Sequence, residues 1–148
     1  MTRLSRNFTL AEFEKSQLAS RFNVNNKATA TAIKNLKALC DNILQPLRDD
    51  LDRGIHINSG YRCLELNRKI GSKDTSQHIF GEAADIEVPG LSNEDLYEYI
   101  QSSGLPFDQV ILEYHTKGNP ASGWVHVSHV SDPAKNRNMA LELPKISS

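Results

Sequence analysis

The chain has 148 residues, of which 39% are hydrophobic and 24% are charged, and its formal net charge is −1 at pH 7. This length and composition predict a single domain over residues 1–148, and we expect a monomer. The charge balance leaves no basic surplus to neutralise phosphates, which argues against a nucleic-acid partner. No apolar run approaches the roughly 20 residues that span a bilayer. The N-terminus also lacks the apolar core of a signal peptide, so we expect a chain made in the cytoplasm.

The first predicted element is a helix that begins near Thr9. Thr9 and Glu12 have the spacing of a capping box, and Phe8 and Phe13 occupy the positions of a hydrophobic staple. The helical pattern fades near Ser20, where we expect this helix to end.

A second helix is predicted from residues 28–31 onwards. Apolar residues recur at helical spacing from Ile33 to Leu47, which is typical of a core face, and Pro46 should kink or end the helix. Cys40 falls within this stripe and is expected to be a buried free thiol. Cys63 lies nearer the functional motifs, but packing is a simpler role for it than metal binding because neither cysteine belongs to a C-x-x-C pair.

Strands dominate the second half of the chain. The pattern predicts strands within residues 54–60, 83–88, 109–114 and 124–128, short helices at 64–70 and after Ser92, and a polar, partly irregular tail beyond Asp132. Helices therefore come mostly first and strands mostly later. This order predicts an α+β fold, with helices packed on one face of a small, mainly antiparallel sheet and a cleft, for which zinc is considered below, on the other face.

Three of the predicted strands carry polar residues that can point to one side of the sheet. Asp85, Glu113 and His126 each lie between apolar neighbours, and side chains alternate between the two faces of a strand. If the three strands pair, these residues project together while the adjacent valines and leucines enter the core.

His78 completes a set of possible metal ligands. It precedes Asp85 by seven residues, and Gly81 between them permits a tight turn or a close backbone approach. Two imidazoles and one carboxylate, here His78, Asp85 and His126, suit a catalytic zinc ion that keeps its fourth position for water. Zinc lowers the pKa of such a water to about 7, and a peptidase then needs a carboxylate as proton acceptor, for which Glu113 is the best candidate.

These residues lie in two motifs, Ser76-x-His-x-x-Gly-x-Ala-x-Asp85 and Trp124-x-His-x-Ser128. Together the motifs resemble the zinc sites of the D-Ala-D-Ala carboxypeptidase family. That family includes vancomycin-resistance dipeptidases and phage L-alanyl-D-glutamate endopeptidases, and it shares its fold with the Hedgehog signalling domain. The segment Ser59-Gly-Tyr-Arg62 and the run from Phe107 to Glu113 also resemble family segments, so that the resemblance extends from about Ile57 to Ser128.

The resemblance implies a zinc peptidase that acts on peptidoglycan peptides, with His78, Asp85 and His126 as metal ligands. It also implies that Glu113 is the general base and that Arg62 steadies the substrate or the developing oxyanion. Some relatives carry the carboxylate three residues before the last histidine ligand, where this chain has Gly123. The family's other arrangement places a glutamate at the end of the preceding strand, as Glu113 is placed here.

Several residues near the motifs have simpler interpretations. Ser76 and Gln109 fall where substrate contacts are implied, although Ser76 could equally cap the turn before His78 and Gln109 fits an ordinary exposed position. His56 and His115 fit surface positions, and His129 is a weak candidate for supporting the metal ligands. Tyr61 and Trp124 fit packing roles in the wall of a cleft.

The sequence leaves three functions open. The leading one is a zinc peptidase that cuts peptidoglycan stem peptides, either as a carboxypeptidase or as an endopeptidase, and the chain also fits a phage-type endolysin acting on the cell wall. The alternatives are a metal-stabilised binding module with little catalysis and a structural virion or cell-wall protein. An intact Glu113 and an open fourth metal position favour the enzyme.

Overall fold

The structure is a computed structural model that describes residues 2–115, 119, 122–132 and 135–144, and for His115 and Pro144 it describes the backbone. No helix in this part of the chain is long and apolar enough to cross a membrane. The α-helices are α1 (Leu10–Glu14), α2 (Gln17–Arg21), α3 (Ala30–Leu39), α4 (Gln45–Leu51), α5 (Leu64–Lys69) and α6 (Asn93–Gln101). The strands are β1 (Arg3–Ser5), β2 (Phe8–Thr9), β3 (His56–Ser59), β4 (Ala83–Glu87), β5 (Gln109–His115), β6 (Trp124–Ser128) and β7 (Met139–Pro144).

Five strands form the main sheet in the order β3-β4-β6-β5-β7. The neighbours β3–β4, β4–β6 and β6–β5 are antiparallel, whereas β5 and β7 run parallel. The predicted α+β class and the mainly antiparallel sheet are therefore confirmed.

One face of the sheet packs against helices in the main core, and a smaller cluster joins Ala19, Val24 and Leu66. Ala84, Val110 and Val125 are fully buried in the main core, together with Leu36 of α3 and Leu96 of α6. Ser92 caps α6 as predicted, because its Oγ accepts a hydrogen bond from the backbone N–H of Asp95 at 3.1 Å. The core lies behind the central strands and leaves their other face to polar residues.

The N-terminal helix is shorter than predicted. Its start is confirmed, since Glu12 Oε1 accepts from the backbone N–H of Thr9 at 3.1 Å and the rings of Phe8 and Phe13 lie 6.2 Å apart. However, α1 ends at Glu14, and Ser16 caps the separate helix α2. The continuous helix to Ser20 was wrong because Ser16 offers its side chain to the backbone and begins a new helix. The hairpin of β1 and β2 was not predicted.

The helix that begins at Ala30 continues beyond Pro46. A π-helical segment, Cys40–Leu44, joins α3 to α4, and the backbone N–H of Gln45 bonds to the carbonyl oxygen of Cys40. Proline normally clashes with the carbonyl group one turn before it, and the wider π-helical turn relieves that crowding. Of the two predicted outcomes at Pro46, a kink or an end of the helix, the end is therefore wrong.

The chain beyond Asp132 contains a strand that was not predicted. β7 lies beside β5 with Gln109 opposite Met139 and Glu113 opposite Leu143. The tail is therefore partly irregular as predicted, but the strand within it was missed, because residues 139–144 become a strand by pairing with β5.

Candidate metal centre

The central strands bring three of the predicted residues to the face opposite the core. Asp85 of β4 lies directly opposite His126 of β6, and His126 lies opposite Ile111 of β5. Directly opposed residues in antiparallel strands share a face, and Glu113 follows Ile111 by two residues. The strand alternation predicted for Asp85, Glu113 and His126 is therefore confirmed.

His78 reaches this face from a 3₁₀ turn, Gln77–Phe80, between α5 and β4. The backbone carbonyl of Gly60 accepts a hydrogen bond from His78 Nδ1 at 2.7 Å. Since that bond fixes the proton on Nδ1, the lone pair of Nε2 is left to face the site. A side chain at Gly60 would lie 2.7–2.9 Å from atoms of Phe13, so glycine allows the close packing that positions this carbonyl.

The donor atoms of His78, Asp85 and His126 converge. Asp85 Oδ1 lies 3.4 Å from His78 Nε2 and 3.1 Å from His126 Nδ1, and all three ligand atoms lie within 4.8 Å of one another. Ligands about 2.0 Å from a tetrahedral zinc are separated by roughly 3.3 Å, so this donor set fits the ion well. All three residues are buried, at 3%, 9% and 8% exposure respectively.

The charge balance among these residues keeps the carboxylate ionised. Burial alone would raise the pKa of Asp85, but the charges of His78 and His126 and their hydrogen bonds lower it below its usual range. That charge belongs to protonated imidazoles, whereas a metal ion binds the ionised aspartate and the deprotonated imidazoles, so the charge of a bound ion would take the place of those protons.

Glu113 lies beside this group. Its Oε1 is 3.9 Å from His126 Nδ1, and its Oε2 accepts a hydrogen bond from Trp124 Nε1 at 2.9 Å. Burial raises the pKa of Glu113, with the charge of Asp85 acting in the same direction, while His126 and the Trp124 hydrogen bond oppose the rise. Trp124, predicted only as a packing residue, thus also orients the carboxylate.

Arg62 borders the same space. Its backbone N–H donates to the His78 carbonyl at 3.1 Å, and its Nη2 contacts Ser76 Oγ at 3.4 Å. Burial lowers the pKa of Arg62, whereas the negative charges of Asp85 and Glu113 raise it. The guanidinium therefore interacts electrostatically with both carboxylates. Its Nε is buried and has no hydrogen-bond partner among the described residues.

The other residues named in the sequence analysis lie at different distances from the candidate metal centre, and not all of them join it. Ser76 caps the 3₁₀ turn by accepting from the backbone N–H of His78, as its simpler interpretation required. Gln109 lies at the start of β5, where its amide contacts Met139 Sδ at 3.6 Å and the structure does not bring it into the cluster. His129 is buried but lies outside the group of three donors, and His56 is exposed as predicted. The side chain of His115 lies outside the described residues.

Both cysteines remain free. Cys40 is fully buried, and burial raises the pKa of its thiol, so it is a packing residue as predicted. Cys63 is partly buried against the core, which supports the predicted packing role.

Two supporting residues were not predicted. Asn26 is buried, and it donates to the Tyr61 carbonyl at 2.9 Å and accepts from the Cys63 N–H at 2.8 Å, which fixes the peptide groups on both sides of Arg62. Asn26 occurs in a polar stretch with no periodic pattern, so nothing in the sequence distinguished it.

Asp108 is the second supporting residue and is only 1% exposed. It accepts a fork from Arg137 Nε and Nη2, both at 2.9 Å, and a hydrogen bond from Gln77 Nε2 at 3.0 Å. Gln77 directly precedes His78, so Asp108 connects the approach to β7 with the turn that presents the first ligand. A carboxylate placed immediately before an apolar strand was the signal that could have identified it.

Comparison with protein families identifies one matching family. The family model described as Peptidase M15 matches residues 6–128, a range that contains Arg62, His78, Asp85, Glu113 and His126. No curated protein matches the chain.

Proposed function

Because the chain belongs to the peptidase M15 family, a family of zinc metallopeptidases, we propose that it hydrolyses peptide bonds in the stem peptides of bacterial peptidoglycan. The observation that carries this proposal is the convergence of His78, Asp85 and His126 beside a half-buried carboxylate. This donor set suits a catalytic rather than a structural zinc, because structural sites usually have four protein ligands rich in cysteine.

His78, Asp85 and His126 would hold the metal. A zinc ion bound there supplies Lewis acidity and a water whose pKa is lowered to about 7. Glu113 accepts the proton of the attacking water and delivers it to the leaving amine. Its raised pKa suits both steps, since a carboxyl group that protonates more readily can also return the proton. Trp124 holds the carboxylate in place through Oε2 and leaves Oε1 free to face the site.

Arg62 would bind a negative group of the reacting peptide. Its guanidinium stays charged at any working pH and carries an Nε that is buried without a partner among the described residues. A substrate carboxylate or the oxyanion formed during attack would satisfy that donor.

Digestion of purified peptidoglycan, followed by mass spectrometry, tests the proposal. We expect cleavage by the zinc-loaded chain, loss of cleavage with a chelator, and recovery when zinc is returned. The fragment masses distinguish removal of a terminal D-alanine from cleavage within the stem. A chelated, zinc-free protein that still cleaves at the full rate would refute zinc dependence.

A variant of the base separates an enzyme from a binding module. Glu113→Gln should retain zinc and lose about 10²–10⁴ in rate, because an amide cannot accept the proton. Glu142→Gln is a matched control, since Glu142 is an exposed strand carboxylate opposite the core-facing Leu112. Stoichiometric zinc without cleavage in the parental protein would favour the metal-stabilised binding module.

A further inference from the structure

A cavity of about 470 Å³ runs along β3, at the end of the sheet beyond β4. Its volume lies within the range of pockets that bind small molecules and short peptides. The polar residues that matter here are Lys15, Gln17, His56, Asn58, Ser59 and Arg62. The three metal-binding side chains do not line the cavity, which meets the metal centre only at Arg62.

The cavity has a one-sided charge. Lys15 and Arg62 line it, whereas no aspartate or glutamate does. The two glutamates of α1 do not line it, since Glu12 accepts from the Thr9 N–H at 3.1 Å and Glu14 accepts from the Ala28 N–H at 2.7 Å, although the charge of Glu14 still acts on the lining residue Tyr61. An anion in the cavity would therefore meet donors and positive charge, with no carboxylate in the lining to repel it.

The shape of the cavity favours an extended chain. All four residues of β3 line it, and β3 pairs on one side only, with β4. Edge strands commonly bind peptides in extended form, with main-chain contacts providing affinity and flanking side chains providing selectivity. Asn58 and Ser59 add polar side chains to the lining. Ser59 lies opposite Asp85 in the sheet, so a peptide along β3 would lead towards the metal centre.

We propose that this cavity binds a free carboxylate of the peptide substrate at a position away from the bond being cleaved, and that Lys15 selects for that charge. The inference rests on the proposed peptidase function and adds a substrate class to it, namely peptides with an unamidated acidic residue. Lys15 acts in binding and lies outside the group of metal ligands.

The test compares two probe peptides on the zinc-loaded Glu113→Gln protein, because this variant should not cleave the peptide during the titration. One probe is the pentapeptide L-Ala-D-Glu-L-Lys-D-Ala-D-Ala, and the other is the same peptide with only its D-glutamate carboxylate amidated, so that the C-terminal carboxylate available to Arg62 is unchanged. Titration calorimetry should give a Kd for the acidic peptide about tenfold lower than for the amidated one. Lys15→Glu should bring the ratio of the two Kd values close to one, and raising the salt concentration should reduce the ratio in the parental protein.

Lys34→Glu is the matched control, because Lys34 is an exposed lysine of α3 outside the cavity lining and the substitution makes the same change in net charge. We expect it to keep the preference for the acidic peptide within about twofold. Circular dichroism checks that each variant is folded. Equal Kd values for the two peptides in the parental protein would overturn the inference, as would an equal loss in Lys15→Glu and Lys34→Glu.

The outcomes also separate this inference from the peptidase proposal. If the parental protein with zinc hydrolyses both peptides with the same KM, the peptidase proposal stands and the role of Lys15 is refuted. If it hydrolyses neither peptide but binds the acidic one more tightly, the cavity assignment stands and the peptidase proposal fails.

Discussion

The most demanding prediction concerns Gly81, which lies between the ligands His78 and Asp85. Gly81 ends the 3₁₀ turn with a φ of +72°, in the left-handed region that side chains rarely adopt. A Cβ atom at this position would lie 2.4 Å from the carbonyl oxygen of Ala32 and 3.0 Å from its carbonyl carbon and Cα. These atoms belong to the backbone of α3, so no side chain can rotate away to make room.

Both effects contribute to the cost of Gly81→Ala. Holding a non-glycine residue in this region costs about 1–3 kcal/mol, and overpacking against a fixed neighbour adds about 1–3 kcal/mol. The free energy of unfolding should therefore fall by roughly 2–6 kcal/mol. For a chain of this size each kcal/mol corresponds to about 2–4 °C in Tm, so we expect Tm to fall by roughly 4–24 °C. Any relief of the clash moves the turn that carries His78, so zinc affinity should fall as well.

Gly71→Ala is the matched control. Gly71 also has a left-handed φ, +80°, but a Cβ atom there would meet nothing within 4 Å. In this variant the free energy of unfolding should fall only by the conformational cost of about 1–3 kcal/mol, and zinc should be retained. Thermal unfolding by circular dichroism and zinc titration measure both effects. Equal losses of stability and of zinc in the two variants would refute the steric argument.

Three further predictions concern the metal centre. His126→Ala should lose most of its zinc by elemental analysis, because two ligands remain, and stoichiometric zinc in that variant would contradict the ligand assignment. Trp124→Phe removes a hydrogen bond that lowers the pKa of Glu113, so the acidic limb of the kcat/KM profile should move to higher pH, and a limb that stays in place would exclude this role. Asn26→Ala removes the hydrogen bonds on both sides of Arg62 and should cost about 1–3 kcal/mol of stability and also reduce kcat/KM. If Asn26→Ala loses stability but keeps the parental kcat/KM, Asn26 supports only the fold.

The grouping of the predicted residues was predictable because it depends on short-range patterns. Period-two alternation assigns Asp85, Glu113 and His126 to one face without any knowledge of which strands pair. His78 precedes Asp85 by seven residues, and Gly81 between them permits the turn that brings the two side chains together. Local rules also identified the caps at Thr9 and Ser92, because capping involves residues only three apart.

The failures involve features that local patterns do not determine. The path of the helix through Pro46 depends on a π-helical segment, which has no simple sequence signal. β7 becomes a strand by pairing with β5, about 30 residues earlier in the chain, and its alternation of Met139, Leu141 and Leu143 with smaller or charged residues was too short to distinguish it from a tail.

The supports of the candidate metal centre show why the three predicted ligands do not by themselves complete the site. The imidazole of His78 depends on the Gly60 carbonyl, and the strand end that carries Gly60 is held against α1 by the hydrogen bond from the Tyr61 N–H to the Phe13 carbonyl at 2.8 Å. On its other side, the turn is tied through Gln77 to buried Asp108. Each support is a buried polar contact between segments far apart in sequence, and such contacts are costly to leave unmade. The N-terminal helices and the approach to β7 therefore position the metal ligands although neither contributes a ligand, and the geometry of the site depends on the whole fold rather than on its two motifs.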